Sequence, residues 1–414
     1  MRTRNLGIVG LLAFMVGCGA SAKAPAASYG GAGRGEAVYA SAPAEPAGYP
    51  APPAAEPAGA PSMPGGAAMP ATASAPPSPA KPSAPPAPAA AKAAEAPIAV
   101  APTPPPPPRD TRPLPRAGQL TAGVWDDNRN FDFWRPYAIR FTDQHGSDFA
   151  MFTAQELEAA RAESVKPHDP RNELDVQLVL DTTGSMGDEL SYLQSEFESI
   201  AAQVRAKFPQ VTPRWSLVLY KDRGDEYVTR GFDFTSDTAR FRQQLRAQSA
   251  GGGGDIPEAV VEGLGKGLEQ SWRAQSPNVA KIIFWVADAP AHPGEGQKLA
   301  HVIRTAKKKG VHIYPVASSD TDDAAEYQMR AAAQMTSGRY VFLTNDSGIG
   351  NSHAEPHIPC YNVSRLDHAI VRMIQVELSG RFDPVESQQV LRSVGQPDKE
   401  GKCKLASGAL VASF

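Results

Sequence analysis

From Asn172 onward the chain alternates short apolar runs with longer amphipathic stretches, and this alternation restricts the fold more than any other feature. The runs are 174–180 (LDVQLVL), 215–220 (WSLVLY), 281–287 (KIIFWVA), 311–317 (VHIYPVA) and 340–343 (YVFL). Each is short and nearly all apolar, as strands buried on both faces of a parallel sheet must be. Segments of helical period lie around them at 188–208, 236–249, 256–274, 296–309, 322–336 and 364–379. The pattern predicts an α/β fold, an open doubly wound sheet with right-handed crossovers. One link is too short for a crossover. Only KDRGDE (221–226) separates 215–220 from 227–234, so these runs should form an antiparallel hairpin that puts 227–234 at a sheet edge.

Composition divides the chain. Of its 40 prolines, 26 precede residue 118, where Lys and Arg also outnumber Asp and Glu. The remainder carries a net charge near −7, which gives no electrostatic footprint for nucleic acid. Residues 19–117 are mostly Ala, Pro, Gly and Ser and cannot repay the entropy of folding; they read as a disordered spacer. Residues 1–18 open with MRTRN and an apolar stretch, 6–17, that is too short to span a bilayer but has the layout of a secretory leader. Met15-Val16-Gly17-Cys18 resembles the lipobox of bacterial lipoproteins, with Met15 where that pattern prefers Leu. The resemblance implies lipidation at Cys18. Gly19 is not the aspartate linked to inner-membrane retention, so it points to the outer membrane of a Gram-negative cell.

Residues 118–171 form a lead-in. Asp126, Asn128, Asn130 and Asp132 have the spacing that begins a calcium loop, but an EF-hand needs Gly and Glu where Phe131 and Tyr137 stand. The interleaved aromatics instead predict an edge strand or strap packed on the next domain. Residues 154–164 (AQELEAARAES) read as a short helix.

Reactive loops in such sheets sit at the carboxyl ends of the strands. Three polar clusters fall there: 181–186 (DTTGSM), 251–258 (GGGGDIPE) and 288–292 (DAPAH). Asp181, Thr183 and Ser185 alternate, so a loop leaving a strand can aim all three at one point; a carboxylate with two hydroxyls suits a small hard cation. Asp255 and Asp288 can complete the shell. With these loops in this order, residues 172–380 resemble a von Willebrand factor type A domain with a metal-ion-dependent adhesion site. The resemblance implies that Thr183 and Ser185 bind the metal through their hydroxyls and that Asp181 and Asp288 do so mainly through water. The cation would be Mg²⁺ first, with Mn²⁺ or Ca²⁺ as alternatives, and an acidic group of a partner protein would fill the last position. One position departs from the family: Asp255 stands where a threonine is usual, in a D-x-P-E form. A further carboxylate offsets the metal's charge and should weaken its pull on an acidic ligand.

The Asp181 loop also resembles the nucleophile loop of phosphoryl-transfer enzymes of the haloacid dehalogenase type. Those need a downstream lysine and a second acidic loop holding Mg²⁺; Lys281 opens a strand, and Asp288-Ala-Pro offers no paired aspartates. No phosphate-cradling loop or dinucleotide fingerprint is present. Arg223-Gly224-Asp225 falls in the hairpin turn, where Gly and Asp are expected anyway. His353, His357 and Cys360 (HAEPHIPC) read as a surface loop rather than a zinc site, because a proline interrupts the spacing. With Cys18 lipidated, Cys360 and Cys403 remain, and an even pair in an exported chain implies a disulfide tying the tail 381–414 to the domain. The expectation is a non-enzymatic, lipid-anchored envelope protein that binds an envelope or surface protein through a divalent cation. The alternatives are a structural domain with a vestigial site, or a Mg-dependent enzyme using Asp181.

Overall fold

The computed structural model describes residues 119–414 apart from 165, 255 and 349–351. The leader 1–18 with Cys18, the spacer 19–117 and Asp255 lie outside the described residues. The strands of the main sheet, in chain order, are β1 (Thr121–Trp125), β2 (Glu173–Asp181), β3 (Thr212–Tyr220), β4 (Thr229–Thr235), β5 (Val279–Ala287), β6 (His312–Ala317), β7 (Tyr340–Thr344), β8 (Tyr361–Arg365) and β9 (Arg392–Val394). The helices are α1 (Phe131–His145), α2 (Ala154–Ser164), α3 (Gly187–Lys207), α4 (Thr238–Arg246), α5 (Val260–Leu268), α6 (Gly296–Lys308), α7 (Asp323–Met335) and α8 (Leu366–Ser379).

The sheet runs β4-β3-β2-β5-β6-β7-β1-β8-β9. Its centre, β3-β2-β5-β6-β7, is parallel, so all five carboxyl ends lie along one edge. Every residue of β5 is buried, which is why its sequence shows no alternation. The hairpin partner β4 pairs antiparallel with β3 at the sheet edge. Its Arg230 and Asp233 remain exposed, as suits an edge that must not recruit another strand. Helix α5 is shorter than the expected 256–274. A Cβ at Gly263 would come within 2.5 Å of the Tyr220 ring, so the helix lies close against the sheet there.

The lead-in is not a strap. β1 is an interior strand between β7 and β8, antiparallel to both. The stretch read as aromatic packing continues into α1. Three of the four residues with calcium-loop spacing, Asp126, Asn128 and Asn130, are spent on structure, with the Asn128 side-chain amide donating to the Gln334 carbonyl at 3.0 Å, whereas Asp132 is exposed. Asp126 accepts from the Asn128 and Arg129 amides and faces Arg339 at 3.0 Å. Asp127 takes two bonds from the fully buried Arg330, at 3.0 and 2.7 Å. The side chain of Asn130 bonds the backbone of Ala412 in both directions. Arg330 also meets Glu326 at 2.8 Å and lies over Trp134 and Tyr137, and Tyr327 stacks on Phe141 at 4.4 Å. Every residue of α7 from Ala325 to Met335 is therefore buried.

The tail closes the far side. β9 pairs with β8, and Cys360 is bonded to Cys403. The final residues join a separate two-stranded ribbon, β10 (Lys402–Lys404) with β11 (Leu410–Ala412), rather than the main sheet.

Candidate metal centre

β2 ends in a buried carboxylate. Asp181 is 1% exposed, and the loop after it folds back so that the Thr183 amide and hydroxyl both donate to Oδ1, at 2.9 and 2.7 Å. The second oxygen, Oδ2, is buried without a hydrogen-bond partner. Thr182, pointing the other way, donates its amide and hydroxyl to the Tyr220 carbonyl, 2.9 Å each, which locks the loop to β3. The Thr183 hydroxyl lies 3.4 Å from that of Ser185, and Ser185 hydrogen-bonds Asp288, the residue after β5. The structure thus brings Asp181, Thr183, Ser185 and Asp288 together.

The glycine-rich loop is wedged against this group. The Gly251 amide donates to the Thr182 carbonyl and the Gly184 amide to the Gly252 carbonyl, 3.0 Å each. Lys221 Nζ donates to the Gly251 carbonyl. Gly252 and Gly253 have φ of +82° and +71°, a region L side chains avoid. A Cβ on Gly253 would also sit 3.1 Å from Thr183 Cβ and 3.4 Å from Glu258 Oε1.

Three carboxylates that sequence reasoning did not select join the site. Asp225 accepts from the Gly253 amide at 3.0 Å to each oxygen, Asp222 meets His292 Nε2 at 2.5 Å, and Glu258 is buried with Oε2 unpartnered. Glu258 was visible in the D-x-P-E stretch. Asp222 and Asp225 sit in the hairpin turn, and nothing in the local pattern says that this turn folds over the glycine loop. The arginine of the Arg-Gly-Asp tripeptide is also spent, since Arg223 pairs with Glu262 and Glu295 at 2.5 and 2.9 Å.

The charge balance is unfavourable. Burial, followed by the Asp288 charge, pushes Asp181 up to about 7. Burial and then Asp181, Asp222, Asp225 and Asp288 push Glu258 up to about 9; burial also raises Asp288. Lys221 is the cation that lowers Asp181. Crowded hard oxygens with an orphaned carboxylate oxygen are the donor set that Mg²⁺ or a similar ion requires, so the residues present fit a divalent cation.

Other motifs fall elsewhere. Lys281 aligns with Asp175, six residues before Asp181 on β2, or roughly 20 Å away at strand rise; its Nζ donates to the Lys309 carbonyl. His353 bonds Asn345, and His357 bonds Glu326 at 2.9 Å. Cys360 is in the disulfide.

Residues 175–351 match the sequence model of a family described as von Willebrand factor A domain. Among curated proteins, the chain is similar to the alpha-protein kinase vwkA of Dictyostelium discoideum, 28% identical over 129 residues, covering 31% of this chain and 20% of the relative. It is also similar to the putative ariadne-like RING finger protein R811 of Acanthamoeba polyphaga mimivirus, 31% identical over 119 residues, covering 29% and 11%. The chain thus spans a fifth or less of the length of these relatives. Among solved structures it resembles a conserved hypothetical protein, BatB, of Bacteroides thetaiotaomicron (TM-score 0.35, 14% identity, 49% of this chain and 97% of that one). It also resembles the pilus adhesin SpaC of Lactobacillus rhamnosus GG in its open conformation (TM-score 0.31, 12% identity, 41% and 27%).

Proposed function

We propose that this chain is an envelope lipoprotein, anchored through Cys18 to the outer membrane of a Gram-negative cell, whose type A domain binds a partner protein through a divalent cation. The observation that carries the reading is the buried, unpartnered Oδ2 of Asp181 beside Thr183, Ser185 and Asp288. A buried carboxylate oxygen without a donor is costly unless something else satisfies it. Asp181, Thr183, Ser185 and Asp288 would hold the ion with Asp255, which lies outside the described residues. A bound Mg²⁺ would present a Lewis-acidic point for a carboxylate of the partner. The role of this chain's residues is binding rather than turnover: the loops fix the oxygens, and Lys221 restrains the glycine loop. The surplus of carboxylates favours holding the cation over attracting a strongly acidic ligand.

Capture of an outer-membrane protein by the immobilised full chain tests this. Capture should require Mg²⁺ or Mn²⁺, vanish in EDTA and vanish in Asp288→Ala. Capture indifferent to EDTA would overturn the cation requirement. Asp181-dependent hydrolysis of a phosphate ester would overturn the binding reading in favour of an enzyme.

A further inference from the structure

The amino ends of the parallel strands, opposite the candidate metal centre, border a cavity of about 430 Å³. Five cationic side chains line it, from Arg129, Lys166, Arg171, Arg339 and Arg381, against two carboxylates, Glu163 and Glu377. Those carboxylates are already committed. Glu377 takes Arg171 at 2.7 Å, His312 at 2.7 Å and the Tyr314 hydroxyl at 2.5 Å. Glu163 pairs with Lys307 at 3.2 Å. Arg339 and Arg129 share Asp126, at 3.0 and 3.6 Å. Lys166 and Arg381 have no ion-pair partner among the described residues.

The surplus continues behind the wall. The guanidiniums of Arg129, Arg339 and Arg372 all lie over the Phe382 ring, at 4.7, 4.6 and 4.7 Å. An aromatic face offsets part of such crowding. Arg372 Nη2 is nevertheless buried without a partner, and burial, then Arg339, pushes that guanidinium down to about 9. Guanidinium forks with an ammonium suit the geometry of phosphate oxygens, and the volume admits a small phosphorylated molecule or a headgroup.

We propose that this cavity binds a phosphate-bearing anion, held by Lys166, Arg381 and Arg129. The test uses the full chain carrying Cys18→Ser, in EDTA, and Lys166→Gln/Arg381→Gln in that background, since both side chains are exposed and their loss should not unfold the domain. Titration with inorganic phosphate at constant ionic strength should saturate, with the double variant binding at least tenfold more weakly. Glycerol phosphate and phosphatidic acid vesicles separate the sources. Variant-sensitive binding of the soluble ester supports a free phosphorylated ligand, and variant-sensitive binding of the vesicles alone supports a lipid headgroup. A phosphate response no larger than that of chloride, together with no variant-sensitive binding to ester or vesicle, would overturn the site. Cation binding by the double variant should stay as in the parent; its loss would show a folding defect, and Arg381→Gln alone would then be measured by the same criteria.

Discussion

The two edges of the central sheet hold similar residues and treat them differently. At the amino edge, Asp175 is fully buried and receives Arg214 in a two-pronged pair at 2.8 and 2.6 Å, together with the Arg273 amide and guanidinium. Glu377 is likewise surrounded by donors and held well below the usual carboxylate range: although burial is the largest influence and opposes it, His312, Arg171 and Tyr314 outweigh it. At the carboxyl edge burial pushes all three carboxylates upward, joined by Asp288 at Asp181, by Asp181, Asp222, Asp225 and Asp288 at Glu258, and by Asp320 and Asp322 at Asp288. A buried pair is destabilising when one partner is removed, because the other charge is left buried and uncompensated. Crowded, half-partnered carboxylates weaken a fold, which keeps them where a ligand completes them.

The comparison breaks first at Asp175. Asp175→Ala leaves two arginines without their buried partner and should cost about 3–5 kcal/mol, read by chemical denaturation. Cation binding normalised to folded protein should stay unchanged. Next in size is the Cys360–Cys403 bond, which closes a separation of 43 residues. Its removal by Cys360→Ala/Cys403→Ala should cost up to about 4 kcal/mol, and native-state hydrogen exchange should show the loss centred on β8 and residues 381–414.

The carboxyl edge should respond with the opposite sign. Asp181→Asn removes an uncompensated charge and should raise the stability of the cation-free protein at pH 8 by about 1–3 kcal/mol, since each tenfold change in proton affinity is worth about 1.4 kcal/mol. The same variant should lose cation-induced stabilisation. The pH dependence follows the same logic. Asp181 titrates near 7 in the folded state against an ordinary 3.8, so the folded state holds its proton more tightly. Its contribution is fully present below about 4 and is lost as pH rises through 7. Cation binding needs the ionised form, so the gap between melts with and without Mg²⁺ should widen from pH 5 to 8. Glu377, shifted down, contributes above the ordinary carboxylate range and loses that contribution as pH falls. The smallest effect is at Gly253→Ala, where φ is +71° and Thr183 crowds the new methyl. It should cost about 1–2 kcal/mol and weaken the cation measurably by calorimetry.

Much of the parallel core was legible because strands buried on both faces leave continuous apolar runs, as in 281–287. β1 was not, because TAGVW is short and its neighbours β7 and β8 lie more than 200 residues away; no local period records an insertion that remote. Helix α1 was hidden by Asp126–Asn130, whose acidic spacing suggests a loop until Arg330 and Ala412 are seen to use it. At the candidate site, the residues leaving β2 and β5 could be placed because a strand end fixes where they point. Asp222 and Asp225 could not, since their role depends on a turn folding over a loop 28 residues further on.

The most direct test is a thermal melt of the full chain in EDTA, Mg²⁺, Mn²⁺ and Ca²⁺, beside Asp181→Ala/Ser185→Ala. A cation at 100 times its dissociation constant adds about 2.7 kcal/mol to a native state that alone binds it. The account predicts an upward shift of several degrees in wild type with at least one of these ions and none in the variant. Identical wild-type melts in all four solutions, with no metal retained on elemental analysis, would contradict it.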